Sequence, residues 1–186
     1  MGGVSESLYV PELLGGLLLE ASPDGLRAVR FGERPEPDAP GPVVLAAARQ
    51  LREYFAGQRC DFELPLDLIG TRFQVAVWRT LLQIPYAGTA SYREIAQAVE
   101  RPRGYQAIGQ ANTRNPVAII VPCHRVINAD GSLGGYGGGA NRKQQLLELE
   151  EHYAERFGKT ATGRAGLSGN AWLFDAGTGG AVQCAD

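Results

Sequence analysis

Asn115-Pro116-Val117-Ala118-Ile119-Ile120-Val121-Pro122-Cys123-His124-Arg125-Val126 is an apolar run bounded by prolines, with a cysteine, a histidine and an arginine directly behind it. Val117 to Val121 is short, mostly β-branched and uncharged, which predicts a buried strand. Pro122 cannot continue a ladder and holds the residue before it extended, so the strand should stop there and present Cys123 at its end. A thiol flanked by an imidazole and a guanidinium is expected to have a lowered pKa, and the thiolate is the form that attacks. That is the description of a nucleophile. A free cysteine is equally at home as a small buried hydrophobe, and one Cys beside one His does not choose between the two.

The chain has 186 residues, enough for one large domain or two small ones with an adequate core. No apolar stretch approaches the ~20 residues that span a bilayer, and the run around Leu17 to Leu19 is too short for a signal peptide, so a cytoplasmic protein is expected. Cys60, Cys123 and Cys184 are odd in number and far apart, which argues against a disulfide framework. His124 and His152 form no zinc-like spacing with them, so no metal is expected.

The net charge of −2 argues against a generally basic nucleic-acid binder, but the charge is unevenly spread. Met1 to Gly70 holds 6 Arg against 11 Asp and Glu, whereas Thr89 to Arg125 holds 5 Arg (Arg93, Arg101, Arg103, Arg114, Arg125) against Glu94 and Glu100. A local basic face on an acidic protein can hold phosphates, and it can equally be an ordinary solvated surface.

Leu17 to Ala21, the turn residues Ser22-Pro23-Asp24-Gly25 and Leu26 to Phe31 read as a hairpin, and the proline-rich Glu33 to Pro42 as a loop. Val44, Ala47, Ala48, Leu51 and Phe55 recur at helical spacing, with Gly57 placed to cap the end. Asp61 to Leu68 alternates like a strand and closes an N-terminal α+β domain over residues 1–70. A second domain, 71–155, opens with a helix from Thr71 to Gln83, in which Trp78 belongs to the apolar stripe. Ser91-Tyr92-Arg93-Glu94 is a capping box that starts a short helix. Arg101-Pro102-Arg103-Gly104 breaks it, and Tyr105 to Asn112 forms another. This helix-turn-helix pattern suits a groove-binding element or ordinary core packing. Ala107, Gly109 and Ala111 allow close approach, and Gln106 and Gln110 carry amides outward.

Asn128-Ala129-Asp130-Gly131 resembles a hairpin turn, and Gly134-Gly135-Tyr136-Gly137-Gly138-Gly139 a close-approach loop without a phosphate-binding signature. Asn141 to Glu151 is helical. At about 100° per residue, Glu150 lies about 40° from Leu146, inside the apolar arc, while Glu148 points to solvent. A carboxylate facing a core needs a partner, and the imidazole beside Cys123 is the evident one. Residues 156–186, Gly-, Ala- and Thr-rich toward the end, read as a flexible tail that includes Cys184.

Ile84-Pro85-Tyr86, Ser91-Tyr92, Ile108-Gly109-Gln110-Ala111-Asn112, Asn115-Pro116, Pro122-Cys123-His124-Arg125-Val126, Gly135-Tyr136 and Arg142-Lys143 through Leu146-Leu147 resemble, in order and spacing, the O6-alkylguanine-DNA alkyltransferases. The likeness is close from about Gly57 to Glu151. It implies an α+β protein in which a ribonuclease-H-like α/β domain precedes a mainly helical, winged-helix-like DNA-binding domain. The implied function is repair by direct reversal: an alkylated guanine, and O4-methylthymine as well, is flipped out of double-stranded DNA and its alkyl group moves irreversibly to Cys123. His124 would be the base through a bridging water, Glu150 would orient the imidazole, Asn115 would brace the site, and Tyr92 would protonate the leaving base and serve the rotated phosphate. The implied DNA contacts are Tyr92, Arg93, Arg103, Gln106, Ala107, Gly109, Arg114 and Arg125, and the implied pocket is Val126, Tyr136 and Gly137.

Nucleophile, base and orienter are the parts such chemistry needs, and a base buried in a duplex must leave the stack before a thiolate can reach it. A thioether product has no good leaving group, so each molecule should act once and no dissociable cofactor is implied; a monomer is expected because the sequence shows no uncommitted apolar helix face. One position departs from the pattern: Gln106 stands where the family usually carries the arginine that enters the duplex, and it lacks that residue's charge and planar fork. Two other readings remain. A non-repairing binder of alkylated DNA would carry another residue, typically Trp, at position 123, and a cysteine hydrolase would need an oxyanion hole to which nothing points.

Overall fold

In the computed structural model, which describes residues 3–11, 14–32 and 39–159, the alternation in Leu17 to Phe31 becomes a hairpin. β2 (Leu17–Ser22) pairs antiparallel with β3 (Gly25–Phe31), and β1 (Glu6–Val10), which the sequence reading did not single out, adds on the other side of β2. Leu17, Leu19 and Ala21 of β2 are buried, with Leu26, Ala28 and Val29 of β3. Among the described residues the chain separates into two units, one of residues up to 69 with 116–120, and one of residues 70–115 with 121–159.

In the first unit α1 (Pro42–Phe55) lays Val44, Ala47, Ala48, Leu51 and Tyr54 against the sheet. Each large side chain so buried is worth about 1.5–3 kcal/mol. The α1 N-terminus is capped from a distance: the Glu6 carboxylate on β1 accepts from Val43 N (2.9 Å) and Val44 N (3.1 Å), placing a negative charge at the positive end of the helix. Of the expected loop before α1, residues 33–38 lie outside the described residues.

Two expected strands do not form. Asp61 to Leu68 is extended, but it makes only the Leu26↔Leu66 bridge, and its polar groups are held by the Gln50 amide, which accepts from Glu63 N (2.9 Å) and donates to Glu63 O (3.0 Å). Val117 to Val121 meets β3 only at its start, where Val29 N donates to Pro116 O (2.9 Å) and Ala118 N to Val29 O (3.1 Å). At Ile119 the backbone turns left-handed (φ 73°), and Ile120 N folds back onto Ala118 O, 2.9 Å away. For a β-branched residue that conformation is strained, and it ends any ladder.

The second unit carries the helices. α2 (Arg72–Leu81) and α3 (Tyr92–Ala98) both start at complete capping boxes, Thr71 with Gln74 and Ser91 with Glu94. α4 (Tyr105–Thr113) follows a turn at Arg101–Gly104, completing the helix-turn-helix. Trp78 is core: it is 2 % exposed and its indole N–H donates to Ala111 O on α4 (2.9 Å). A short parallel pair, β4 (Ala90–Ser91) with β5 (Val126–Ile127), flanks the Cys123 segment. The Asn128 turn closes on Ser132 (2.9 Å) without a following strand, so it makes no hairpin. α5 (Ala140–Tyr153) then runs into a one-turn 3-10 helix, Ala154–Phe157, so the first residues of the expected tail are helical; residues from 160 on, with Cys184, lie outside the described residues. No helix among the described residues is long and apolar enough to cross a membrane.

Candidate active site

Cys123–Arg125 is a single 3-10 turn that begins directly after Pro122, and all its side chains are buried. Asn115 ties the turn to the end of α4. Its Nδ2 donates to Val121 O (2.8 Å) and to Cys123 Sγ (3.1 Å). Burial pushes the Cys123 thiol up to about 11, while the Asn115 hydrogen bond and the Lys143 charge pull against that rise. The lowered pKa expected of a thiol beside His124 and Arg125 is therefore not what the resting site has, because desolvation outweighs its neighbours and the Arg125 charge is engaged elsewhere.

That engagement is with Glu150, which is fully buried on α5. Arg125 Nη2 donates to Glu150 Oε1 (2.8 Å) and its Nε to Oε2 (3.0 Å), while Nη1 reaches Ile84 O (2.6 Å). Ala87 N donates to the same carboxylate (3.1 Å). Although burial alone would raise it, the Arg125 and His124 partners hold the Glu150 carboxyl well below the usual carboxylate range. Arg125, expected to touch DNA, is thus only 6 % exposed and committed to an internal pair.

His124 is also fully buried, with Nε2 3.0 Å from Glu150 Oε1. Burial holds its pKa below the usual histidine value despite the nearby carboxylate. A neutral ring facing an ionised carboxylate keeps its proton on Nε2, which leaves Nδ1 as the basic atom. Nδ1 is buried and has no hydrogen-bond partner among the described residues.

Tyr92, at the start of α3, is half-buried, and its hydroxyl donates to Gly135 O (3.3 Å). Burial, then the nearby Cys123, raises its pKa, and the Asn112 amide opposes that rise. Tyr136 is raised by the same two causes, so both phenols keep their protons at neutral pH and both sense the Cys123 charge. Val126 is fully buried beside them, whereas Gly137 is exposed on the loop that follows.

The remaining expected DNA contacts lie on exposed faces. Arg93, Arg103, Gln106, Ala107 and Arg114 are exposed, Gly109 is half-exposed, and a Cβ on Gly109 would meet nothing within 4 Å. Gln106, Gly109, Gln110, Thr113 and Arg114 line an open groove of ≈ 460 Å³ along α4. With Arg125 turned inward, the exposed cations of this stretch are Arg93, Arg101, Arg103 and Arg114.

Known proteins match both units. The model of the 6-O-methylguanine DNA methyltransferase ribonuclease-like domain matches residues 6–68, and that of the DNA binding domain matches residues 72–152. The chain belongs to the 6-O-methylguanine DNA methyltransferase family. Among relatives, the methylated-DNA–protein-cysteine methyltransferase of Mycobacterium leprae is 60% identical over 123 residues, covering 66% of this chain and 72% of that protein. Its Methanosarcina acetivorans counterpart is 44% identical over 144 residues, covering 74% and 92%. The crystal structure of Mycobacterium tuberculosis O6-methylguanine methyltransferase superposes with a TM-score of 0.72 at 45% identity, over 80% of this chain and 94% of that one. Mycobacterium tuberculosis OGT in complex with DNA gives 0.70 at 47% identity, over 79% and 92%.

Every residue around Cys123 falls in the segment matched by the DNA binding domain of the 6-O-methylguanine DNA methyltransferase family. Two residues that the sequence reading gave no role belong to this neighbourhood. Asn112 is buried, and its side-chain amide opposes the rise of the Tyr92 phenol. Lys143 is fully buried on α5, and its ammonium donates to Val126 O (2.6 Å), Leu133 O and Gly135 O (3.5 Å). The helical wheel that picks out Glu150 also places Lys143 about 60° from Leu146, inside the same arc. A lysine is dismissed there because its long stem usually carries the charge to water.

Proposed function

We propose that the protein repairs O6-alkylguanine in DNA by moving the alkyl group irreversibly to its own Cys123. The observation that carries this is the buried Cys123 thiol, hydrogen-bonded by Asn115 and adjoining a neutral His124 that is itself held by Glu150, within a chain of this family. His124 Nδ1 accepts the thiol proton through a bridging water, and Glu150 stabilises the imidazolium that results. The thiolate sulfur then attacks the alkyl carbon: the S–C bond forms, the C–O6 bond breaks, and the electron pair stays on guanine. Tyr92, whose phenol remains protonated at neutral pH, supplies a proton to the departing base. O4-methylthymine presents the same alkyl–oxygen chemistry and is a second substrate. The thioether cannot be displaced by water, so each molecule works once and needs no dissociable cofactor.

The resting thiol fits this cycle. A thiol held up near 11 is unreactive toward solvent electrophiles at neutral pH and is deprotonated only when base and substrate are in place. The groove along α4, lined by Gln106, Gly109, Gln110, Thr113 and Arg114, together with the exposed Arg93, Arg103 and Ala107, is the proposed DNA interface. Cations there would hold phosphates, and small residues would admit the backbone. The target base leaves the duplex to enter the pocket bordered by Val126, Tyr136 and Gly137. We assign sheet support to residues 1–70 and the DNA-binding and acceptor roles to 71–155, in a monomeric cytoplasmic protein acting on double-stranded DNA.

Titrating a fixed amount of protein with excess O6-methylguanine duplex tests the one-shot cycle. Restored guanine should plateau at one per active molecule. Continued turnover beyond that plateau, or no restored guanine at all, would overturn it.

A further inference from the structure

Arg125 and His124 were the cations expected to favour a thiolate at Cys123, but their charge is absorbed by Glu150 or absent. The α5 stripe that packs inward carries Lys143, Leu146 and Glu150, one cation and one anion at helical spacing. Glu150 is matched by Arg125. Lys143 is not matched: it is fully buried, and among the described residues its three partners are the neutral carbonyls of Val126, Leu133 and Gly135. Three carbonyl acceptors require three N–H donors, so the site is built for the ammonium and not the amine. Burying an unpaired cation is expensive, and it persists where the charge has a use.

The groups around it narrow what that use is. The 3-10 turn brings Cys123, the neutral His124 and the paired Arg125; α3 brings Tyr92; the loop brings Tyr136; and α5 brings Glu150 and Arg142, which reaches Gly138 O (3.0 Å). Of these, Cys123 and Tyr92 both give up a proton in the reaction, and Cys123 is the one whose charge acts on Lys143. The influence is mutual. Burial brings Lys143 down to about 8 against the opposing pull of the Cys123 charge, and the Lys143 charge works to lower the Cys123 thiol. We infer that Lys143 is a further positioning residue of the alkyl-transfer site: its ammonium fixes the Val126 to Gly135 backbone and supplies the unpaired positive charge that stabilises the Cys123 thiolate as it forms. The inference rests on Cys123 being the acceptor, as proposed above.

The test follows alkylation of Cys123 by iodoacetamide against pH, read on the Cys123 peptide by mass spectrometry so that Cys60 and Cys184 do not interfere. In Lys143→Met the rate below about pH 8, where the ammonium is charged, should fall, about tenfold for each unit by which the thiol is raised. Lys143→Arg keeps the charge and should titrate near the unmodified protein. A folded Lys143→Met that titrates like the unmodified protein would reduce Lys143 to a backbone clamp and overturn the inference. Should Lys143→Met not fold, the mutual effect gives the answer without it. Lys143 and Lys159 are the chain's two lysines, so the Lys143 ε-carbon is separable by NMR. It should lose its proton at higher pH in Cys123→Asp, which places a carboxylate where the thiolate would form, than in Cys123→Ala, and identical titrations would refute the coupling. The alkylation readout uses no DNA. A protein whose thiol responds to Lys143 but accepts no methyl group contradicts the repair reading and leaves this one standing.

Discussion

Replacing Glu150 with leucine is the most demanding single perturbation of the site. The carboxylate accepts from His124 Nε2 (3.0 Å), from Arg125 Nη2 (2.8 Å) and Nε (3.0 Å), and from Ala87 N (3.1 Å), all with no exposure of its own. Leucine fills much of the volume, but it leaves a buried guanidinium without its counter-charge. Breaking such a pair from one side costs about 3–5 kcal/mol. At about 2–4 °C per kcal/mol for a chain of this size, the melting temperature should drop by roughly 6–20 °C at neutral pH. Adding Arg125→Met to Glu150→Leu removes the stranded charge, and the double variant should regain a large part of the loss. Thermal unfolding of the two single variants and the double, followed by circular dichroism, measures this. A Glu150→Leu melting point within about 2 °C of the unmodified protein, or a double variant whose loss equals the sum of the singles, would refute the reasoning.

Acidification should destabilise the fold in two stages. His124 is held below the ordinary histidine value of 6.5, so below that pH the unfolded chain takes up a proton that the folded one refuses, and stability falls. Glu150 is held below the ordinary glutamate value of 4.5, so its contribution is complete above 4.5 and drains away as the pH drops further. Urea titrations between pH 7 and 4 should show a steady decline, and a flat profile would contradict both assignments. Arg103→Ala and Arg114→Ala should each weaken DNA binding and lower the salt slope of log K by about one phosphate contact, measured by fluorescence anisotropy; an unchanged slope in both would move the interface away from α4. Gln106→Arg adds a charge and a planar fork at the groove and should tighten DNA binding and speed repair in single-turnover kinetics, and no change in either would show that Gln106 does not limit base flipping.

Local signals in the sequence were good guides where the structure is local. The Ser22 to Gly25 turn, the α1 stripe and the Ser91/Glu94 capping box depend on residues a few positions apart, and each forms as the pattern implies. The wheel over α5 found the buried Glu150 because a charge in an apolar arc stands out. What failed was decided by distant partners. Composition makes Val117 to Val121 a strand, but only Pro116 to Ala118 has β3 beside it, and Ile119 turns away. Asp61 to Leu68 alternates correctly, yet Gln50 on α1 takes up hydrogen bonds that a ladder would have used. Arg125 adjoins Cys123 in sequence, which suggested a cation for the thiol or for DNA, while in space it belongs to Glu150 25 positions on. The same blindness hid Lys143, whose partners are backbone carbonyls that no side-chain pattern reveals.

The central claim is that Cys123 itself becomes the alkyl carrier. Incubating the protein in excess with an oligonucleotide containing O6-methylguanine, then mapping its peptides by mass spectrometry, measures this directly. The account predicts a single methyl group on the Cys123 peptide, matched by loss of the lesion from the DNA and absent in Cys123→Ala. A methyl group found on another residue, or lesion removal that persists in Cys123→Ala, would contradict it.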